Sequence, residues 1–273
     1  MNIAFLIALN DNFVISMKVF LLSLLKTNPW FNLDILLLSD GNLSSENILS
    51  LRSIYNKINV IGAKKNDYHG CLPTTQKWGY NLYYRFDVFD MGDLGYDRII
   101  ILDSDMVFLK DIKELFSYEH DFAACKKHLN ISEINPNNQI EQKRKRFNCG
   151  LMSISKIFLD PSIKNDLIRI ASEQAWSSDQ PVFNIYFADK VFYMPQKFNV
   201  VSAIASDSLL TECVILQYHG FVKPWHSDNA EDCFHKEIKD EIRKISDNVI
   251  QYTQTVKKLK NIFDEYSILA QKN

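Results

Sequence analysis

Three segments built on short unbroken apolar runs constrain this chain most: "NIAFLIAL" (Asn2–Leu9), "LDILLLSDG" (Leu33–Gly41) and "RIIILDSD" (Arg98–Asp105). None alternates apolar with polar residues, so none suits a strand with one face in water. Such runs belong to strands buried on both faces, as in a parallel sheet covered by helices. Helical segments separate them. "NDNFVISMKVFLLSLLKTNP" carries the capping residues Asn10, Asp11 and Asn12, is apolar nearly all round and ends before Pro29, which predicts a buried helix. "SSENILSLRSIYNK" has Ser44 or Ser45 as cap and Ile48, Leu51, Ile54 and Tyr55 at helical spacing. "INVIGA" reads as a third strand, and "TTQKWGYNLYYRFDVFD" as a helix leading into the strand Ile99–Leu102. This alternation predicts an α/β fold with a doubly wound, mostly parallel sheet flanked by helices.

The second half is less regular. "DFAACKK" and "FNCGLMSISK" read as strands, separated by the polar, Pro136-containing "HLNISEINPNNQIEQKRKR", a long excursion. Its basic run Lys143–Arg146 reads as a solvated face or as a loop that meets an anionic acceptor. From Ile238, through Ile242, Ile245, Val249, Tyr252, Val256, Leu259, Phe263 and Tyr266, apolar residues recur at alternating spacings of four and three, the period of a helical stripe. The expected division is therefore a first, α/β domain over 1–226 and a C-terminal helical region over 227–273. The stripe either packs back on the first domain or forms a homo-oligomer through the C-terminal helices; intramolecular packing is favoured, with a break near Asn248.

A formal net charge of −2 over 273 residues gives no electrostatic footprint for nucleic acid. Cys71, Cys125, Cys149, Cys213 and Cys233, an odd number without zinc-site spacing, point to a reducing compartment. The apolar start lacks a basic leader and a cleavage site, and no run approaches the roughly 20 apolar residues of a transmembrane segment. The expectation is a cytoplasmic protein, at most peripheral at the inner face of the membrane.

In open α/β sheets ligands bind beyond the carboxyl ends of the strands. Asp103-Ser104-Asp105 stands at such an end, and so do Asn10, Asp11 and Asn12. Taken alone, the acidic pair reads either as a turn or as a divalent-metal site, in which alternate carboxylates converge on Mg²⁺ or Mn²⁺ and leave positions for phosphate oxygens. "ILQYHGFVKPWH" (Ile215–His226) places Gln217, His219, Gly220 and Lys223 behind a short apolar run. A glycine admits close approach of a ligand and a lysine suits a diphosphate.

"LDSD" followed by "QYHGFVKPW" resembles the family-eight retaining glycosyltransferases, the group containing glycogenin and the bacterial lipopolysaccharide galactosyl- and glucosyltransferases. "IALNDNF", "YYRF", "FNCGLMSIS", "SSDQPVFNIYF" and "MPQKFN" match further segments of that family in the expected order, over roughly residues 1–226. The resemblance implies a GT-A fold, a UDP-sugar donor, a glycan or glycolipid acceptor and a Mn²⁺ (or Mg²⁺) cofactor. It places Ala8, Leu9, Asn10 and Asn12 at the uridine, Asp103 and Asp105 on the metal, and Ser104 at the ribose. It places Gly220 and Lys223 at the diphosphate, and Arg85, Asn148, Asp179 and Gln180 around the donor sugar. One departure stands out: the family's metal-binding histidine falls on Gln217, so that either Gln217 or His219 completes the shell.

The expected activity is transfer of glucose or galactose with retention. Gln180 is a poor nucleophile, so front-face departure and attack is favoured, with Asp179 the candidate for any covalent step. A catalytically weakened UDP-sugar-binding protein or scaffold is the alternative. Other roles are open for single residues: Arg85 pairing with Asp87 or Asp90, and Asp179 capping the helix that Pro181 favours.

Overall fold

The computed structural model describes residues 1–71, 81–127, 146–176, 178–202, 205–218, 223–225 and 249–271. Its centre is a seven-stranded sheet. In chain order the strands are β1 (Ile3–Ala8), β2 (Asp34–Ser39), β3 (Ile58–Gly62), β4 (Arg98–Leu102), β6 (Phe122–Lys126), β7 (Phe147–Ser155) and β8 (Phe192–Met194). Their spatial order is β3-β2-β1-β4-β7-β6-β8. β3, β2, β1 and β4 run parallel, as expected; β7 is antiparallel to both its neighbours, and β6 and β8 pair parallel.

The apolar runs behave as two-sided strands. Ile3, Phe5 and Ile7 enter one core with Ile35, Leu37, Ile100 and Leu102, whereas Ala4 and Leu6 enter a second with Leu36, Leu38, Ile99 and Ile101. α1 (Val14–Thr27) and α2 (Ser45–Ile54, capped by Ser44) cover the first face. The second is covered by a 3-10 helix (Asn81–Asp90), α3 (Pro161–Glu173) and α4 (Gln180–Tyr186). Each fully buried Leu or Phe stabilises this arrangement by about 1.5–3 kcal/mol.

Two local expectations change. The segment carrying Arg85 is a 3-10 helix over Asn81–Asp90, not an α-helix, and 72–80 lie outside the described residues. Asn10 caps a short 3-10 turn (Asp11–Phe13) ahead of α1, its side chain accepting from Asn12 N–H.

A second sheet, β5-β10-β9, joins β5 (Met106–Phe108) to β9 (Val200–Val201) and β10 (Ile215–Gln217). α5 (Asp207–Glu212) precedes β10. The C-terminal helix α6 (Val249–Ala270) packs Leu259, Phe263 and Tyr266 against Val19 of α1, Leu216 and Tyr218. α1 is thus apolar nearly all round because it lies between the sheet and α6. Residues 226–248, including the stripe's first turns, Cys233 and the expected domain boundary, lie outside the described residues. The four described cysteines are buried and free. No helix among the described residues is long and apolar enough to cross a membrane.

Candidate active site

A cleft of about 400 Å³ opens at the carboxyl ends of β1, β2 and β4. Its floor is built where β4 ends. Asp103 N–H donates to Gly150 O (2.9 Å), and Tyr218 N–H donates to Asp105 O (2.9 Å), so β7 and the end of β10 hold the acidic turn from both sides. The antiparallel β5–β10 pairing sets Gln217 opposite Met106, next to that turn. Residues more than a hundred positions apart meet through this register.

Arg85 is the hub of the inner wall. Its Nη1 donates to Asp103 Oδ1 (2.9 Å) and Cys149 O (2.8 Å), and its Nε donates to Asp179 Oδ2 (2.9 Å). Burial works against the Arg85 charge, but Asp179 and Asp103 more than offset it and hold its pKa above the ordinary value. Burial likewise pushes the Asp179 carboxyl up, opposed by Arg85. Asp103 is pushed up to about 6 by burial, with Arg85 pulling down and Asp105 and Asp179 adding to the rise. Arg85 therefore does not pair with Asp87 or Asp90. Asp179 occupies the N-cap position of α4 but makes no side-chain capping bond, because its carboxylate is turned to Arg85.

On the opposite side Lys223 Nζ donates to Asp105 Oδ2 (2.5 Å) and Tyr218 O (2.7 Å), and Gln217 Nε2 donates to Asp103 Oδ2 (2.6 Å). Two buried oxygens in this group, Asp105 Oδ1 and Gln217 Oε1, have no hydrogen-bond partner among the described residues. A buried acceptor left unsatisfied requires an explanation, and a bound ion is one that fits two such oxygens beside a carboxylate pair. Together with Asp103 they form an all-oxygen set, which suits a hard divalent cation such as Mg²⁺ or Mn²⁺. Three carboxylates meeting two cationic side chains here leave room for further positive charge.

The sugar-binding candidates line the same cleft. Gly150 N–H (2.6 Å) and Asn199 Nδ2 (3.0 Å) both donate to Asn148 Oδ1, which turns the Asn148 amide NH₂ away from those contacts. Cys149 N–H donates to Gln180 Oε1 at 3.2 Å. Ala8, Leu9, Asn10, Ser104, Asp105, Asn148, Asp179, Gln180, Gln217 and Lys223 all line the cleft; Asn12 does not. His219 and Gly220 lie outside the described residues.

Sequence reasoning missed Gly150 and Asn199. A Cβ on Gly150 would fall 2.4 Å from Gln217 Oε1, so the glycine is what lets the Gln217 amide lie over β7. A glycine inside an apolar strand is the signal of such close approach. Asn199, fully buried, closes the matched segment "MPQKFN", which was the signal for it.

Comparisons with known proteins agree with this arrangement. The family model described as Glycosyl transferase family 8 matches residues 4–229. Lipopolysaccharide 1,2-glucosyltransferase of Escherichia coli (strain K12) is 24% identical over 259 residues, covering 83% of this chain and 73% of that protein. Lipopolysaccharide 1,3-galactosyltransferase of Salmonella typhimurium is 27% identical over 185 residues, covering 58% of this chain and 53% of that protein. The crystal structure of galactosyltransferase LgtC in complex with donor and acceptor sugar analogs superposes with a TM-score of 0.65 at 18% identity, covering 88% of this chain and 94% of that one. That likeness identifies the fold as GT-A. On the family match over most of its length, the chain belongs to glycosyl transferase family 8.

Proposed function

We propose that this chain is a metal-dependent, retaining hexosyltransferase. It moves glucose or galactose from a UDP-sugar to a hydroxyl of a glycan or glycolipid acceptor, in lipopolysaccharide, other surface-polysaccharide or glycoprotein glycan synthesis. One observation carries the reading: two buried oxygens, on Asp105 and Gln217, without a partner among the described residues, beside Asp103 and Lys223 at a strand end of a family 8 chain. The acceptor class rests on the named activities of the relatives, and a cytoplasmic location is part of the same proposal.

Asp103, Asp105 and Gln217 would hold the ion. Bound there, Mn²⁺ or Mg²⁺ neutralises charge that develops on a diphosphate leaving group. Lys223 adds a compact positive charge on the same side. Ala8, Leu9 and Asn10, which line the cleft, serve the uridine, with Asn12 left outside it; Ser104 serves the ribose, and Gly220 the diphosphate. Arg85, immobilised by three acceptors, and Asn148, with its NH₂ available as a donor, orient the sugar. Asp179 Oδ2 is held by two guanidinium nitrogens, Nε at 2.9 Å and Nη2 at 2.5 Å, which weakens it as a nucleophile. The Gln180 amide is weaker still. This supports front-face transfer: the bond from the anomeric carbon to the phosphate oxygen breaks and the acceptor oxygen bonds to the same carbon. The acceptor proton passes to the freed phosphate oxygen, leaving glycoside and UDP.

UDP release measured with a panel of UDP-sugars, with and without Mn²⁺, tests the proposal. One UDP-hexose hydrolysed only with metal is the expected result; no donor bound or hydrolysed sinks it. Gln217 favours a second reading, since a neutral amide is a poorer ligand than imidazole and its Nε2 already serves Asp103. A weakened binding protein or scaffold would bind UDP-sugar and show no turnover with any acceptor. The Mn²⁺ dependence of Gln217→Ala and His219→Ala separates the two candidate ligands, and no change in either removes both from the shell.

A further inference from the structure

Asp67, Asp87 and Asp90 present carboxylate oxygens within 4.8 Å of one another, in the manner of a cation cage. The cage is filled by a side chain. Lys164 Nζ, from α3, lies 2.6 Å from Asp67 Oδ2, 2.7 Å from Asp87 Oδ1 and 2.6 Å from Asp90 Oδ2. Tyr68 OH donates to Asp87 Oδ1 (2.6 Å), Lys64 N–H to Asp87 Oδ2 (2.8 Å), and Lys64 Nζ to Asp90 Oδ2 (2.8 Å). Lys164 is only 2% exposed. A buried charge network of this kind is weak evidence for stability, and its best attested use is to specify geometry.

The geometry in question is unusual. Asp87 and Asp90 belong to the ten-residue 3-10 helix that carries Arg85, and runs of that helix beyond three or four residues are uncommon. With three residues per turn, positions three apart eclipse. Tyr83, Phe86 and Phe89 form one ridge, all fully buried in the core. Tyr84, Asp87 and Asp90 form a second, on which Asp87 and Asp90 meet Lys164 and Tyr84 lines the cleft. Leu82, Arg85 and Val88 lie on the third, on which Leu82 and Arg85 line the cleft and Val88 enters the core. Rewinding to an α-helix, at about 100° rather than 120° per residue, separates Asp87 from Asp90 by roughly 60° around the axis. With Asp90 held, the same change swings Arg85 by roughly 100°. One ammonium that grips both carboxylates thus selects the winding that aims Arg85 at Asp103 and Asp179.

We infer that Lys164 is a positioning residue for Arg85: it clamps the 3-10 helix through Asp87 and Asp90 and so sets the guanidinium in the donor cleft. The inference rests on the reading of Arg85 as part of a donor-sugar site. The test is a double-mutant cycle on the full chain with Lys164→Met and Arg85→Lys, reading kcat and KM for donor hydrolysis together with Tm. Lys164→Met is expected to lower kcat about 10- to 100-fold with a smaller change in KM, since misplacement of a catalytic group at a distance costs on that order. In the Arg85→Lys background the further kcat loss should vanish while the Tm loss persists, because coupled residues are non-additive. K164M/D87N, which removes a buried charge of each sign, guards against a variant that fails to fold and should also have low kcat. Equal kcat losses from Lys164→Met in both backgrounds, or wild-type kcat in K164M/D87N, overturn the clamp alone. An Arg85→Lys variant with undiminished turnover overturns the site reading and the clamp with it.

Discussion

The two flanks of the cleft are held by different physics. On the Arg85 flank the guanidinium itself is held by directed ion pairs and hydrogen bonds, to Asp103, Asp179 and Cys149 O, while its helix is tied to Lys164 and also packs Phe86 on Phe183 at 5.0 Å. On the Lys223 flank aromatic packing carries much of the support. Trp225 meets Phe13 edge-on at 5.8 Å and Phe263 of α6 at 5.4 Å, and Tyr218 meets Phe263 at 5.6 Å while its hydroxyl donates to Leu259 O (2.8 Å). A buried ion pair fixes one atom against another, whereas aromatic contact fixes a surface and tolerates sliding. The difference matches the tasks proposed for the two sides. An orienting group needs a set position, and a group that meets a diphosphate arriving with its metal needs some latitude.

The comparison can be broken at its shared centre first. Asp105→Asn removes the group that both metal and Lys223 use, and donor hydrolysis should fall about 10³-fold or more. Retention of a tenth of the activity would mean that the flanks do not converge there. Next, Arg85→Lys should cost about 10²-fold, mainly in kcat, because an ammonium cannot span Asp103, Asp179 and Cys149 O as the guanidinium fork does. Lys223→Ala should instead raise donor KM by about tenfold, the scale of one charge-assisted contact. If the two variants exchanged kinetic signatures, the assignment of rigid and adaptable sides would be reversed. Phe263→Ala probes the aromatic brace: calorimetry should show a loss of about 3 kcal/mol, with donor KM raised only a few-fold. The smallest effect is expected from Gly150→Ala, whose Cβ displaces the Gln217 amide. It should raise the Mn²⁺ concentration for half-maximal activity about three-fold, with Tm little changed. A Tm loss without any shift in the metal titration would make Gly150 a packing residue only.

Much of the first half was legible because its signals are local. A strand buried on both faces has to be apolar along its length; β1 is so throughout, and β2 and β4 are so but for Asp34, Ser39 and Arg98 at their ends. The cap of α2 was legible to within one residue, Ser44 or Ser45, and it is the Ser44 side chain that accepts from Asn47 N–H. Asp103 and Asp105 stood out as carboxylates at the end of such a strand. The partners of charged residues were not legible. Arg85 has Asp87 and Asp90 as near neighbours in sequence yet pairs with Asp103 and Asp179, because Lys164, more than seventy positions away, takes the near ones. Asp179 had the sequence of a helix cap and became a guanidinium anchor. Nor does an apolar strand reveal its direction, so the antiparallel β7 and the β5–β10 pairing that delivers Gln217 could not be read from composition.

The sequence by itself determined which segments are buried, and through its ordered motifs the family and the strand end proposed to carry the chemistry. These follow from residue type and short spacing, which act over one turn or one strand. Only the tertiary structure decided which carboxylate meets which cation, that the Arg85 segment winds as a 3-10 helix, and that α6 braces the Lys223 side. Those outcomes depend on a few ångströms between elements far apart in the chain, and a charge takes the partner that the fold brings within reach.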